Sequence, residues 1–279
     1  MRDFVYKESG MFFTERNRNF FETKVKMLLK DSRREDIFSY IKCLSDMKSG
    51  HQEKTRLLNA ITINETSFFR DNTLVTALSK NVIPAIVERK AADGDKNINV
   101  WSAACSSGDE AYTAAILFCE HLQNSIGQWK VRVYATDINE NALAICRNGV
   151  YNDYSLRNMS KAIKDKYFTR IGGDAYQVTS ALKSMVLTEK ANLVEPWTGR
   201  KYAGVDLIMI RNVLIYFNAE SKKKVIRTCY ENLKDNGYLF LGHSETLYGI
   251  SSDFALLNFV NTMGYKKITE KGDTYKATE

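Results

Sequence analysis

No stretch of the chain approaches the ~18 uncharged apolar residues that a membrane span requires, so no transmembrane helix and no membrane insertion are predicted. The five cysteines, Cys43, Cys105, Cys119, Cys146 and Cys229, are odd in number and form no C-x-x-C pair, which disfavours a disulfide framework or a zinc ribbon. The three histidines, His51, His121 and His243, lie far apart, so the chain reads as metal-free. The opening MRDFVYKESG has no apolar h-region and no small-residue cleavage site, and a cytoplasmic protein is expected. Neither G-x-G-x-x-G nor G-x-x-x-x-G-K-[ST] occurs, which weighs against a dinucleotide or P-loop phosphate site. No Lys/Arg run is interleaved with aromatics, so no nucleic-acid groove is expected. Internal repeats and low-complexity segments are also missing.

What remains is an ordinary globular composition: 279 residues, 44% hydrophobic and 26% charged, which sets aside intrinsic disorder and coiled coil. That length suits one large domain or two smaller ones, and a monomer is expected. Lysine and arginine exceed the acids by 40 − 33 = 7 charges, a mild basic excess that favours acidic partners. Residues 1–34 hold nine Lys/Arg against five Asp/Glu, an excess placed on the polar face of the first long helix. It is either a solvated helix surface or a docking face for something acidic.

The first 70 or so residues read as helical. Phe20, Phe21, Val25, Leu28 and Leu29 recur at helical spacing. Ser32 and Glu35 suggest a capping box before the apolar face Ile37, Phe38, Ile41 and Leu44. From about residue 96 strand-like runs alternate with helical ones. INVWSAA (98–104), VRVYATDI (131–138) and VDLIMI (205–210) each precede a helix, and YLFLGH (238–243) follows. This alternation predicts a mainly parallel sheet with helices on both faces. FALLNFV (254–260) and YKKIT (265–269), joined by NTMG, read as an antiparallel pair at a sheet edge. The predicted organisation is a helical region at 1–75, a linker helix at 76–95 and an α/β domain at 96–279. A small antiparallel β insertion is placed at about 152–190, around the Gly172-Gly173-Asp174 turn.

The first strand runs into Ala104-Cys105-Ser106-Ser107-Gly108-Asp109-Glu110. Small residues at a strand-to-helix turn let backbone approach a ligand beside a helix N-terminus. Asp109 and Glu110 would repel a pyrophosphate and suit a cation; the same acids also complement the helix macrodipole. Asp137 ends the second strand, 29 residues after Gly108, where an acid commonly accepts hydrogen bonds from ribose hydroxyls. Its alternative role is to cap the following helix. A ligand with a ribose, a positive amine and no phosphate satisfies both turns, and S-adenosylmethionine fits that description. Arg211-Asn212 interrupts the apolar run before Tyr216-Phe217, whose rings serve either a cleft or the core. The loop Ile63–Asp71 is polar and aromatic together, in a place to close over a ligand, with Asp71 as the N-cap of a helix at 72–79.

NETSFFRD (64–71), WSAACSSGDEAY (101–112), ATDINENAL (135–143), RNVLIYF (211–217) and LFLGHSE (239–245) occur in that order. Together they resemble the chemotaxis receptor methyltransferases, the CheR family, over residues 18 to 267. The resemblance implies a helical N-terminal domain and a Rossmann-like class I methyltransferase domain with a seven-stranded sheet. It further implies an antiparallel β subdomain inserted in that domain. It implies transfer of a methyl group from S-adenosylmethionine to glutamates of chemoreceptor cytoplasmic helices, leaving S-adenosylhomocysteine. By position, it places cofactor contacts at Asn64, Thr66, Arg70, Glu110 and Asp137, with Asn192, Leu193, Asn212 and Val213 near the adenine. Arg70 and Tyr216 resemble residues near the transferred methyl. The family often has Gly-Glu-Glu-Pro-Tyr where this chain has Gly108-Asp109-Glu110-Ala111-Tyr112, so the second acid is kept and the proline is not. Two other readings compete: a methyltransferase of the same fold with another acceptor, and a non-catalytic cofactor-sensing receptor adaptor.

Overall fold

The structure, a computed structural model, describes residues 1–34, 36–46, 50–195 and 201–268. Its centre is a seven-stranded sheet in the order β6-β2-β1-β7-β8-β10-β9. The strands are β1 (Asn97–Ala103), β2 (Lys130–Asp137), β6 (Val186–Lys190), β7 (Val205–Ile210), β8 (Leu233–Leu241), β9 (Phe254–Phe259) and β10 (Thr262–Lys267). All neighbours are parallel except β10, which runs antiparallel to both β8 and β9. The chain builds outward from β1 on one side, then returns to its other side with β7. That reversal makes the carboxyl ends of β1 and β7 the place where an open α/β sheet leaves a crevice.

The two faces of the sheet bury separate cores, because successive strand residues point to opposite sides. Val100, Val133, Leu207 and Met209 join Leu74, Leu78, Ile86, Ile116 and Phe118 on one face. Trp101, Ala103, Ile208 and Ile210 join Val5, Phe21, Leu44, Leu57 and Val225 on the other. The helices α1 (Arg2–Ser9), α2 (Arg18–Asp31), α3 (Ile37–Ser45) and α4 (Gly50–Ile61) therefore share one contiguous core with the sheet. Trp101 is fully buried there; its indole N–H donates to Thr136 Oγ1 at 2.9 Å and its ring stacks on Tyr202.

Helix ends correct the sequence reading in one place and match it in another. Ser32 closes α2, its hydroxyl donating to Leu29 O at 3.1 Å, and does not open α3. Asp36 is the N-cap of α3, accepting from Ser39 N at 2.7 Å, while Glu35 lies outside the described residues. Asp71 caps α5 (Asn72–Ala77) through Thr73 N and Leu74 N, both at 3.1 Å, as its position predicts. α5 continues through one π-helical turn, Leu78–Val82, into α6 (Ile83–Ala92). Pro84 supplies no N–H, and a wider turn accommodates the missing rung.

The inserted element is a three-stranded antiparallel sheet, β3-β5-β4, formed by β3 (Val150–Asn152), β4 (Phe168–Gly172) and β5 (Ala175–Val178). It is narrower than the 152–190 expected. Val186–Lys190 leaves it and pairs in parallel with β2, Val133 opposite Val186, as the edge of the main sheet. Only Val186 of that strand is buried, so it lacks the continuous apolar run that marks the other parallel strands. At the opposite edge β9 and β10 form the predicted hairpin, Phe259 opposite Thr262, with Asn261 in the left-handed conformation (φ 59°) at its turn.

Candidate active site

A cleft lies across the carboxyl ends of β1, β2 and β7, roofed by the loop that follows α4. It encloses about 1290 Å³ of empty space, its open mouth included. Asn64, Thr66, Arg70, Glu110, Asp137, Asn192, Leu193, Asn212, Val213 and Tyr216 all line it, so the fold brings every sequence-predicted position to one surface.

The turn after β1 is built for close approach. Ala104 (φ 60°) and Ser106 (φ 52°) are left-handed, as are Phe69 (φ 49°) and Asn212 (φ 58°) on the facing walls. These four of the eight non-glycine residues with positive φ among the described residues all border the cleft, where such strain commonly serves function. Gly108 opens α7 (Asp109–Leu122) at φ 89°, and a Cβ there would sit 2.2 Å from Cys146 Sγ. Glycine is required at that position for both reasons.

Asp137 is buried at the end of β2. Burial pushes its carboxyl above the ordinary value, while N–H donors at Asn139, Ser106 and Ile138 oppose that push. Ser106 N donates to Oδ2 at 2.7 Å and Asn139 N to Oδ1 at 2.8 Å. Acceptor capacity remains on this carboxylate beyond those donors, as hydrogen bonding to a ribose hydroxyl needs. Asp137 does not cap α8 (Glu140–Asn148); Asn139 does, through Ala142 N at 3.0 Å. Asn139 also reaches the N-terminal helices, its Nδ2 donating to Thr62 Oγ1 at 2.6 Å. On the far wall Asn192 Nδ2 donates to Glu8 O at 2.8 Å, which ties α1 to the same cleft.

The two acids of the first turn of α7 part company. Glu110 lines the cleft, one oxygen accepting from Ser102 Oγ at 2.8 Å. Asp109 faces the interior and is fully buried; Ser107 Oγ donates to Oδ2 at 2.6 Å, and Oδ1 has no partner among the described residues. Burial pushes its carboxyl up to about 6. Arg70 is exposed at the mouth, with Nη1 donating to Glu65 O at 2.7 Å. Tyr216 is half-buried; burial and the charge of Glu245 raise its phenol, and Arg70 acts in the opposite sense. The phenol therefore stays protonated and able to donate. Among the described residues no group of three or more His, Cys, Asp or Glu side chains is placed to hold a metal, and no helix is long and apolar enough to cross a membrane.

The family described as CheR methyltransferase, SAM binding domain, matches residues 64–262. The chain belongs to that family. A chemotaxis protein methyltransferase of Borreliella burgdorferi is 32% identical over 94% of this chain and 91% of its own length. A chemotaxis protein methyltransferase 2 of Vibrio cholerae is 31% identical over 95% and 91%. Among solved structures, an O-methyltransferase family protein from Burkholderia thailandensis aligns over 82% of this chain and 62% of that one, at 10% identity and a TM-score of 0.42.

Two residues of this CheR-family site escape the sequence reading of roles. Arg211 lines the cleft and bridges two acids, donating from Nη2 to Asp71 at 2.6 Å and from Nη1 to Glu110 at 3.4 Å. Burial alone would raise the Asp71 carboxyl, yet hydrogen bonds from Thr73 and Leu74 and the Arg211 charge hold it below the ordinary value. Glu245 is buried and gathers Gly242 N (2.7 Å), Asn212 N (2.8 Å) and Ile215 N (3.3 Å). It holds the Asn212–Tyr216 segment in its turn. Both residues stand inside recognisable motifs, RNVLIYF and LFLGHSE, and that was the available signal.

Proposed function

We propose that this chain methylates glutamate side chains of chemoreceptor cytoplasmic helices, using S-adenosylmethionine and leaving glutamyl methyl esters and S-adenosylhomocysteine. The family and its chemotaxis relatives support methyl transfer in chemotaxis. One observation carries the acceptor assignment. The cleft holds two carboxylates suited to an ammonium and a ribose, and beside them a cation and a protonated phenol suited to an anion.

When bound, S-adenosylmethionine supplies a methyl on a sulfonium that gives up its carbon–sulfur bond with the electron pair staying on sulfur. A glutamate of ordinary pKa ~4.3 is already ionised at neutral pH, so the site needs no base and no proton has to move. The residues lining the cleft would hold the cofactor: Glu110 its ammonium, Asp137 its ribose, and Asn64, Thr66, Arg70, Asn192, Leu193, Asn212 and Val213 its remaining surface. Arg70 orients the acceptor carboxylate through charge-assisted hydrogen bonds, and Tyr216 donates one more. The loop 64–71 sheds water from the carboxylate, raising its reactivity.

The receptor would meet the N-terminal helices. Arg16, Lys26 and Lys30 are exposed there, a face that suits an acidic helical partner and speeds encounter by long-range attraction. A cytoplasmic monomer is the matching physical form.

The test uses methyl-labelled S-adenosylmethionine and a purified receptor cytoplasmic fragment. Label that is released as methanol by mild base, and that vanishes when the receptor glutamates are replaced by alanine, is expected. Base-stable label on the fragment would overturn the glutamate assignment.

A further inference from the structure

A helix leaves its last carbonyls and its first N–H groups without partners of its own. α4 ends at Ile61 and α8 begins at Glu140, and each end completes the other. Asn139 Nδ2 donates to Asn59 O at 3.2 Å and to Thr62 Oγ1 at 2.6 Å. In return Asn59 Oδ1 accepts from Glu140 N at 2.9 Å. The polarity is favourable, since the negative end of α4 meets the positive end of α8. The partners lie 77 to 81 positions apart in the chain, and Asn139 is buried where they meet.

This clasp stands between the floor and the roof of the cleft, and neither asparagine lines it. Toward the floor, Asn139 N donates to Asp137 Oδ1 at 2.8 Å. Toward the roof, the chain passes from Thr62 directly into the loop 63–71. The far half of that loop is pinned. Phe68 is fully buried and its N–H donates to Ser155 O at 3.0 Å, while Phe69 N donates to Thr113 Oγ1 at 3.2 Å. The near half is surface chain: Ile63, Asn64 and Glu65 are exposed, and Ser106 Oγ reaches Asn64 O at 3.2 Å.

We propose that Asn59 is a positioning residue: by clasping α8 it holds the near half of the roof down over the cleft, and opening of the clasp gates release of the cofactor. This rests on the S-adenosylmethionine reading of the cleft. Asn64 and Thr66 belong to the roof and Asp137 to the floor, so a ligand held between them needs the two segments at a fixed spacing. The clasp supplies that spacing without touching the ligand.

The test is the dissociation rate of labelled S-adenosylhomocysteine after a chase with excess unlabelled ligand, beside the Tm of each protein. Asn59→Ala removes one bond of the clasp and is expected to release the ligand about 3- to 10-fold faster. Alanine is a good helix former and α8 keeps its cap from Asn139, so the fold should hold. Should it not, Asn59→Ser decides: its hydroxyl is too short to reach Glu140 N, and the same acceleration is expected. A lowered Tm with an unchanged release rate in either variant would make the clasp structural only and overturn the proposal. Asn59→Asp keeps an acceptor for Glu140 N at a helix N-terminus, so its release rate should stay within about twofold of wild type. Release from Asn59→Asp as fast as from Asn59→Ala also overturns it. Failure of wild type itself to bind S-adenosylhomocysteine would remove the cofactor reading beneath, and the gate with it.

Discussion

The Glu245 carboxylate oxygen that accepts from Asn212 N at 2.8 Å also accepts from Gly242 N at 2.7 Å, so one buried charge joins the ends of β7 and β8. Asn212 needs that support, because its backbone is left-handed at φ 58° without being glycine. Gly242 allows it, since a Cβ there would fall 2.5 Å from the same carboxylate. Replacing Glu245 with Gln removes the charge and turns one acceptor into a donor facing N–H groups. The expected outcome is a stability loss of about 1–3 kcal/mol and weaker S-adenosylhomocysteine binding. Denaturant unfolding and calorimetry check the two parts.

Asp137→Asn should weaken S-adenosylhomocysteine binding by roughly tenfold or more, as two hydrogen bonds to a charged acceptor each contribute about 1.5–3 kcal/mol. The fold should survive, because Asn139 and not Asp137 caps α8. Native circular dichroism with wild-type affinity would reduce Asp137 to an anchor for the Ser106 N–H.

Arg70→Ala is expected to lower kcat about 10- to 100-fold while changing S-adenosylhomocysteine affinity less than about threefold. Its guanidinium is exposed and engaged with Glu65 O, free of any ion pair with the cleft acids among the described residues. Equal losses in kcat and affinity would make Arg70 a cofactor clamp. Steady-state kinetics beside calorimetry separates the two.

Asp109 gives a pH signature. Its carboxyl moves from an ordinary 3.8 to about 6 because burial penalises the charged form. The folded chain therefore holds more protons than the unfolded chain between pH 4 and 6, and this residue's contribution to stability falls as pH rises through that window. Above it the ionised group costs at most about 3 kcal/mol. Asp109→Asn should raise Tm at pH 7.5, and the advantage over wild type should disappear near pH 4. Thermal melts across pH 4–8 show it; a variant less stable than wild type at pH 7.5 would mean that the unpartnered Oδ1 has a cation or water that a neutral amide cannot replace.

Much of the local structure was legible from residue order. VDLIMI reads as a two-face-buried strand and is one, with all six residues buried. Asp71 reads as a cap and is one. Both depend on neighbours within a few residues, where periodicity and capping chemistry operate. The CheR resemblance named ten positions, eight of them inside the quoted motifs, and all ten line the cleft.

Other features were decided only when distant segments met. Val186–Lys190 read as part of an insertion, but its parallel pairing with β2 makes it the sheet edge; a half-exposed strand carries no sign of which partner it will find. Asp109 and Glu110 are adjacent acids of one helical turn, yet one is buried and the other lines the cleft. A helix advances about 100° per residue, and which side faces inward depends on how α7 packs on the sheet. Arg211 meets Asp71 across 140 positions and Glu110 across 101. Sequence alone determined the continuous apolar strands, the Asp71 cap and the residue types at the strand ends. The tertiary structure decided which charges touch, because a side chain's local preference sets its element, while burial of apolar faces sets that element's rotation and its neighbours.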